Sequence, residues 1–210
     1  MSTMKGDFKL KKEICKVAEI IYAKGLVVAT DGNVSVRTPD NCILITPSGK
    51  RDIKVEDIVK IDLEGNIKKR ALKPSSEYRM HIEVYKKRKD INGIVHTHPP
   101  YATAFGAAGI PLKPIIAETV LENGEIPVAP YGTPSTEEVP RSISKLIEKH
   151  NSLILAHHGL LSVGRDLFEA LNRAERVEFL ARINFLAKML GGAVPLSQKR
   201  IEKLIELQHH

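Results

Sequence analysis

The 210-residue sequence predicts an α/β protein, a three-layer α/β/α sandwich with helices on both sides of a mostly antiparallel sheet. Three observations carry this expectation. Apolar residues recur at helical spacing in several segments, as Ile14, Val17, Ala18 and Ile21 do near the start. Short apolar or alternating runs, such as NVSVR (33–37), CILIT (42–46) and GIVHTH (93–98), read as strands. The early strands are joined by the tight turns PDN and EGN, which favour antiparallel pairing over a doubly wound parallel sheet. One domain over 1–210 is expected, because a chain of this length with 42% hydrophobic residues suits one core rather than two.

The elements follow in order. Residues 8–24 form the first helix, and Gly25 is its natural stop. Residues 33–37 and 42–46 make a hairpin across PDN. A second hairpin runs through 57–69 as IVKID, the turn EGN and IKK. Residues 75–88 read as a helix capped by Ser75 or Ser76, with Glu77 in its first turn. GIVHTH is a short buried strand, and Pro99 or Pro100 opens the next helix. A strand lies near 126–130, followed by a helix over 136–149 capped by Ser135 or Thr136. SLILAHHG (152–159) is a buried strand ended by its glycine, and LLSVG (160–164) pairs with it. Asp166 caps a long helix to about Leu190, and an amphipathic helix follows over 197–207.

Composition narrows the function classes. No apolar run approaches the roughly 20 residues of a membrane span. The opening MSTMKGDFKLKKEICK has neither an apolar signal core nor a small-residue cleavage site. Cys15 and Cys42 form no CxxC pair, so a cytoplasmic protein with reduced thiols and no membrane partner is expected. The net charge of +7 and the runs KKR (68–70) and KKRK (86–89) raise nucleic acid as a partner. A solvated helix face or exposed turn explains them better, since no aromatic side chains interleave as a stacking platform. Steering of an anionic substrate is a further use for the charge. No nucleic-acid partner is expected.

The histidines carry the chemistry. His209 and His210 sit at the terminus, and His81 and His150 fall on helices as surface or structural residues. His96, His98, His157 and His158 lie at the ends of short apolar strands, where a fold gathers distant side chains into one cleft. Period-two geometry points His96 and His98 to one face, where two imidazoles can meet one late first-row cation such as zinc. In the adjacent pair His157–His158, strand alternation lets only one residue face the same side. Three histidines leave an open coordination position, the mark of a catalytic metal site. Glu77 is a candidate ligand or base, although a glutamate in a helix's first turn also serves the helix dipole.

Three small-residue segments resemble an anion cradle: TDGNVS (30–35), TPSG (46–49) and PSSE (74–77). Convergent backbone N–H groups and helix N-termini bind phosphate readily. Each segment alone is ordinary turn chemistry. No GxxxxGK[ST] or GxGxxG motif appears, so nucleotide binding has no support.

GNVSVR (32–37), ITPSG (45–49), PSSE (74–77), VHTHP (95–99) and HHGL (157–160) stand in the order and spacing of the class II sugar-phosphate aldolases. The sequence resembles that family over roughly residues 8–190, and its fuculose-phosphate branch most. The resemblance implies the class II aldolase fold and one zinc ion per subunit held by His96, His98 and His158. It carries the ligand role to the second histidine of the pair, and gives Glu77 the roles of metal ligand and acid/base. Gly32, Asn33, Ser48, Gly49, Ser75 and Ser76 match the phosphate-binding positions. The implied reaction is cleavage of L-fuculose 1-phosphate, or a similar ketose 1-phosphate, to dihydroxyacetone phosphate and lactaldehyde or another aldehyde. The implied assembly is a homotetramer with active sites between neighbouring subunits. The family's aldehyde-side tyrosine has no counterpart here, because Ile115 or Ile116 falls at its place. Glu118, Tyr131 or Tyr101 could substitute, and nothing in the sequence chooses among them. Within the family, a ribulose-phosphate 4-epimerase carries aspartate after PSS, whereas Glu77 favours an aldolase; a methylthioribulose-1-phosphate type dehydratase shares the enolisation step. An adducin-like interaction domain lacks the metal histidines that this chain has.

Overall fold

The computed structural model describes residues 2–68, 72–117, 125–194 and 197–208. In chain order the elements are α1 (Ser2–Ala23), β1 (Asn33–Arg37), β2 (Ile43–Ile45), a 3-10 turn (Val55–Asp57), β3 (Val59–Ile61), α2 (Tyr78–Lys87), β4 (Gly93–Thr97) and α3 (Pro100–Ala107). Then come β5 (Val128–Ala129), α4 (Glu138–Ile143), β6 (Ser152–Leu155), β7 (Gly159–Gly164), α5 (Leu167–Met189) and α6 (Gln198–Gln208).

The strands form one sheet in the order β3-β2-β1-β4-β7-β6-β5. Every neighbouring pair is antiparallel except β5 with β6 at one edge, which is parallel. Side-chain alternation splits the core in two. On one face Val34, Val36, Leu44, Val95 and Leu160 meet Ile14, Val17 and Ile21 of α1, Phe105 of α3, and Leu171, Val177 and Leu180 of α5. On the other, Ile43, Val59, Ile94, Leu153 and Val163 meet Met80, Val84 and Tyr85 of α2 and Val139 and Ile143 of α4. Each such side chain, fully buried, contributes roughly 1.5–3 kcal/mol. The expected three-layer sandwich around a mostly antiparallel sheet is therefore the observed architecture.

Helix ends follow their local chemistry. Gly25 has φ 67°, and the Leu26 N–H donates to the Ile21 carbonyl at 2.9 Å, a glycine-closed helix end. Asp166 caps α5 by accepting from the Glu169 N–H at 2.8 Å.

Four expectations need correction. Helix α2 begins at Tyr78, because the Ser75 hydroxyl accepts from the Glu77 N–H at 3.3 Å in a turn ahead of it. Glu77 thus stands at the N-cap, not within the first turn. The regular part of α4 ends at Ile143, and the chain continues to 149 as irregular turns; its N-cap is Glu137, with no side-chain cap, while Thr136 just ahead accepts from the Glu138 N–H at 3.1 Å. The second hairpin shrinks to one bridge, Ile61 with Ile67, because Asp62 winds the turn by accepting from the Glu64 and Asn66 N–H groups. Strand β6 stops at Leu155, and Ala156–His158 turn, with His157 in the left-handed region at φ 54°. A turn, not strand alternation, therefore separates His157 from His158.

The basic runs are partly neutralised: Lys87 pairs with Glu148, Arg88 with Asp90 and Lys68 with Asp62. The rest of KKR (68–70) lies outside the described residues. Both cysteines are free. Among the described residues no helix is long and apolar enough to cross a membrane.

Candidate metal centre and substrate cleft

Strands β1, β4 and β7 are consecutive in the sheet, and the site lies where they end. His96 on β4 pairs in register with Asn33 on β1 and Leu161 on β7. Its Nδ1–H donates to the Leu160 carbonyl at 3.0 Å. That bond fixes the tautomer and leaves Nε2 as a bare lone pair. His98 follows the strand end, anchored by its own N–H to the Leu26 carbonyl at 2.9 Å. His158 comes from the β6–β7 turn, whose backbone closes through His158 N–H to the Leu155 carbonyl at 3.1 Å.

The three rings meet edge to face, with centroids 4.8–5.1 Å apart. One nitrogen from each lies within 4.8 Å of the others, and the Nε2 atoms of His96 and His98 are 3.0 Å apart. Tetrahedral coordination at about 2.0–2.1 Å puts ligand nitrogens about 3.4 Å apart, so the trio is near that spacing. The His158 Nδ1 is buried with no hydrogen-bond partner among the described residues. A carboxylate oxygen of Asp31 lies 3.7 Å from the His98 Nδ1. Burial, then the neighbouring imidazoles His98 and His158, hold His96 well below the usual imidazole range. Burial also lowers His98 and His158, against the opposing pull of Asp31. All three are neutral near pH 7, the form that donates a lone pair to a metal. The donor set and its protonation fit a divalent cation.

Two glycines make this crowding possible. A Cβ on Gly159 would sit 2.4 Å from the Thr97 carbonyl oxygen and 2.6 Å from the His98 ring. One on Gly32 would sit 2.4 Å from a Val27 methyl and 2.9 Å from the His96 carbonyl oxygen, at a φ of 74°.

Glu77 is buried beside the trio, and its Oε1 accepts from the Ser135 N–H at 2.5 Å and the Ser135 hydroxyl at 3.3 Å. Ser135 adopts a left-handed φ of 66° to do so. The loops at 46–49 and 73–76 are joined by a Pro47–Pro74 bridge, the Ser48 N–H to the Lys73 carbonyl, and the Ser75 N–H to the Thr46 carbonyl. All ten positions singled out in the sequence, Gly32, Asn33, Ser48, Gly49, Ser75, Ser76, Glu77, His96, His98 and His158, line one cleft of about 690 Å³ including its open mouth. That size suits a small molecule.

Other sequence candidates lie elsewhere. His157 is exposed, with Tyr131 at a ring distance of 6.2 Å. Ile115 and Ile116 pack against the α1-side core, and Tyr101 packs on Phe185. Glu118, His209 and His210 lie outside the described residues. His81 is fully buried and is no surface residue. Asp31 and Ser135 line the cleft without having been singled out as site residues. Asp31 stands beside the Gly32–Asn33 pair, the one local signal for it. Ser135 reads only as a helix cap.

Three converging imidazoles and a carboxylate, at the strand ends of an α/β/α sandwich, form a group that could hold a metal ion beside a cleft of small-molecule size. The chain belongs to the family described as Class II Aldolase and Adducin N-terminal domain, which matches residues 12–185, and it is an aldolase-type lyase of that family. It is 36% identical to an L-fuculose phosphate aldolase of Methanococcus maripaludis (strain C5) over 178 residues, 84% of this chain and 96% of that one. It is 32% identical to a 5-deoxy-D-ribulose 1-phosphate aldolase of Bacillus thuringiensis serovar kurstaki, covering 93% of each chain. A solved L-fuculose 1-phosphate aldolase superposes with a TM-score of 0.89 at 34% identity, covering 96% of this chain and 97% of that one.

Proposed function

We propose that this enzyme cleaves L-fuculose 1-phosphate, or a similar ketose 1-phosphate, reversibly to dihydroxyacetone phosphate and lactaldehyde or another aldehyde. The observation that carries the reading is the single cleft shared by three imidazoles, one carboxylate and three small-residue loops. His96, His98 and His158 would hold one zinc ion per subunit, with Glu77 within the same cleft as a further ligand when substrate is absent. When bound, the ion supplies Lewis acidity that stabilises negative charge developing on the C2 oxygen as the C3–C4 bond breaks.

The protein's own groups do the rest. Gly32, Asn33, Ser48, Gly49, Ser75 and Ser76 receive the phosphate and fix the register of the carbon chain. Glu77 moves protons at the C3 carbon and at the sugar oxygen. Its Oε1 is tied to Ser135, which leaves Oε2 for that traffic. No Schiff-base lysine is required. The assembly is a homotetramer in the cytoplasm, its clefts completed at subunit interfaces, as the resemblance to the family implies; with isoleucine at 115 and 116, the aldehyde-side acid comes from another residue.

The test is a coupled assay of dihydroxyacetone phosphate released from L-fuculose 1-phosphate, with chelator and with added zinc. Metal-dependent release is expected, and His96→Ala should lose metal content and activity together. His96→Ala that stays active with a full zinc complement would sink the reading. No release at about one zinc per chain would move it to dehydratase or epimerase chemistry.

A further inference from the structure

A buried polar chain runs behind the cleft, apart from the metal trio. His81 on α2 contacts Asn33 on β1 through Nε2 to Oδ1 at 2.5 Å, and Ser35 through Nδ1 to Oγ at 2.6 Å. The Ser35 hydroxyl meets the Tyr85 hydroxyl at 2.9 Å. His81, Ser35 and Tyr85 are fully buried, and Asn33 nearly so.

The direction of this chain can be deduced. Burial makes His81 a neutral imidazole, with one N–H and one lone pair. Two proton arrangements are then available. In the first, Tyr85 donates to Ser35, Ser35 to the His81 Nδ1, and the His81 Nε2–H to the Asn33 carbonyl oxygen. All three contacts are then well within hydrogen-bond reach. In the second, every proton is reversed, and the Tyr85 hydroxyl must end on the Asn92 carbonyl at 3.5 Å. That distance is at the limit of a hydrogen bond, so the first arrangement wins. It also leaves the Asn33 N–H₂ group, a pair of donors, free on a residue that lines the cleft. The reverse arrangement would present a carbonyl oxygen to an anion.

We infer that His81 is a positioning residue for phosphate recognition: its Nε2–H holds the Asn33 amide so that Nδ2 donates to the substrate phosphate. This rests on the proposed role of Asn33 in the phosphate cradle. A buried histidine used only for packing would show no preference for which ring nitrogen is replaced. A positioning histidine would.

Two amide substitutions separate these roles. In His81→Gln the side-chain amide reaches about as far as Nε2 and can still donate to Asn33. In His81→Asn it reaches only the Nδ1 position, toward Ser35. The Kd for dihydroxyacetone phosphate is measured by calorimetry on the zinc-loaded protein, beside metal content and thermal midpoint. His81→Gln should stay within about three-fold of wild type. His81→Asn should weaken binding about 10- to 100-fold, the loss of one hydrogen bond to a charged group. In an Asn33→Ala background the His81→Asn effect should vanish, because both changes remove the same contact. Equal binding by the two His81 variants, or an undiminished effect without Asn33, overturns the inference. The aldolase reading is judged separately, by release of dihydroxyacetone phosphate from wild type. Wild type that binds dihydroxyacetone phosphate but cleaves nothing removes that reading and leaves the His81 comparison valid. Wild type that does not bind it overturns the inference.

Discussion

His81 illustrates what burial does to one titratable group. No carboxylate compensates it, and its pKa falls from 6.5 to about 3. An unfolded chain binds that proton near 6.5, whereas the folded one does not. Below pH 6.5 the unfolded state therefore takes up more protons, and stability falls as pH falls; above 6.5 the contribution is complete. Between pH 7 and pH 5 this one group accounts for about 2 kcal/mol. Urea unfolding of the chelated protein should show it as the difference in pH sensitivity between wild type and His81→Gln. Identical pH profiles would mean that His81 is protonated in the folded state. Residues of this kind differ in how far sequence reveals them. His96 and His98 announce themselves, because one spacer on a strand puts both on one face. His158 came from family resemblance, and its separation from His157 depends on a left-handed turn that no pattern marks. Ser135 reaches Glu77 across 58 positions, a contact that only tertiary closure creates. The same holds for His81, whose helical position suggested a surface or structural role and whose partner lies 48 positions away.

Elements with strong local signals were the most legible. Helices α1 and α5 follow from apolar spacing, a terminal glycine and a capping aspartate, all short-range effects. The central strands follow from apolar runs between turns. Where regular structure ended early, a local side-chain bond had intervened: Asp62 wound the 62–66 turn, and Ser75 delayed α2. The α5 cap can be tested directly. Asp166 accepts from Glu169 at 2.8 Å, and the backbone of 166–167 lies against Gly93 and Gly164 of the central strands. Asp166→Ala should cost about 1 kcal/mol, the usual loss for an N-cap. That corresponds to roughly 2–4 °C in Tm for a chain of this size. Because the cap is remote from the metal trio, zinc content should be unchanged. A drop in zinc content would show that the start of α5 also sets the β4–β7 geometry.

At the scale of the whole molecule, the surface bears on the assembly. Helix α5 exposes Phe179, Phe185, Leu186 and Met189, and Leu190 and Val194 follow. Such a run of apolar side chains is a typical mark of an association surface. The proposed tetramer answers this, with a neighbour covering the apolar surface. Sedimentation equilibrium should then report four times the 23.3 kDa chain mass. Activity per chain should fall on dilution in step with loss of that species, and zinc content should not. The two readouts separate the roles of the parts: His96, His98 and His158 all come from one chain, so a lone subunit keeps its metal site. A 23.3 kDa species with full activity would show that one chain carries the complete site, and would return Tyr131, exposed near His157, to consideration as the aldehyde-side acid.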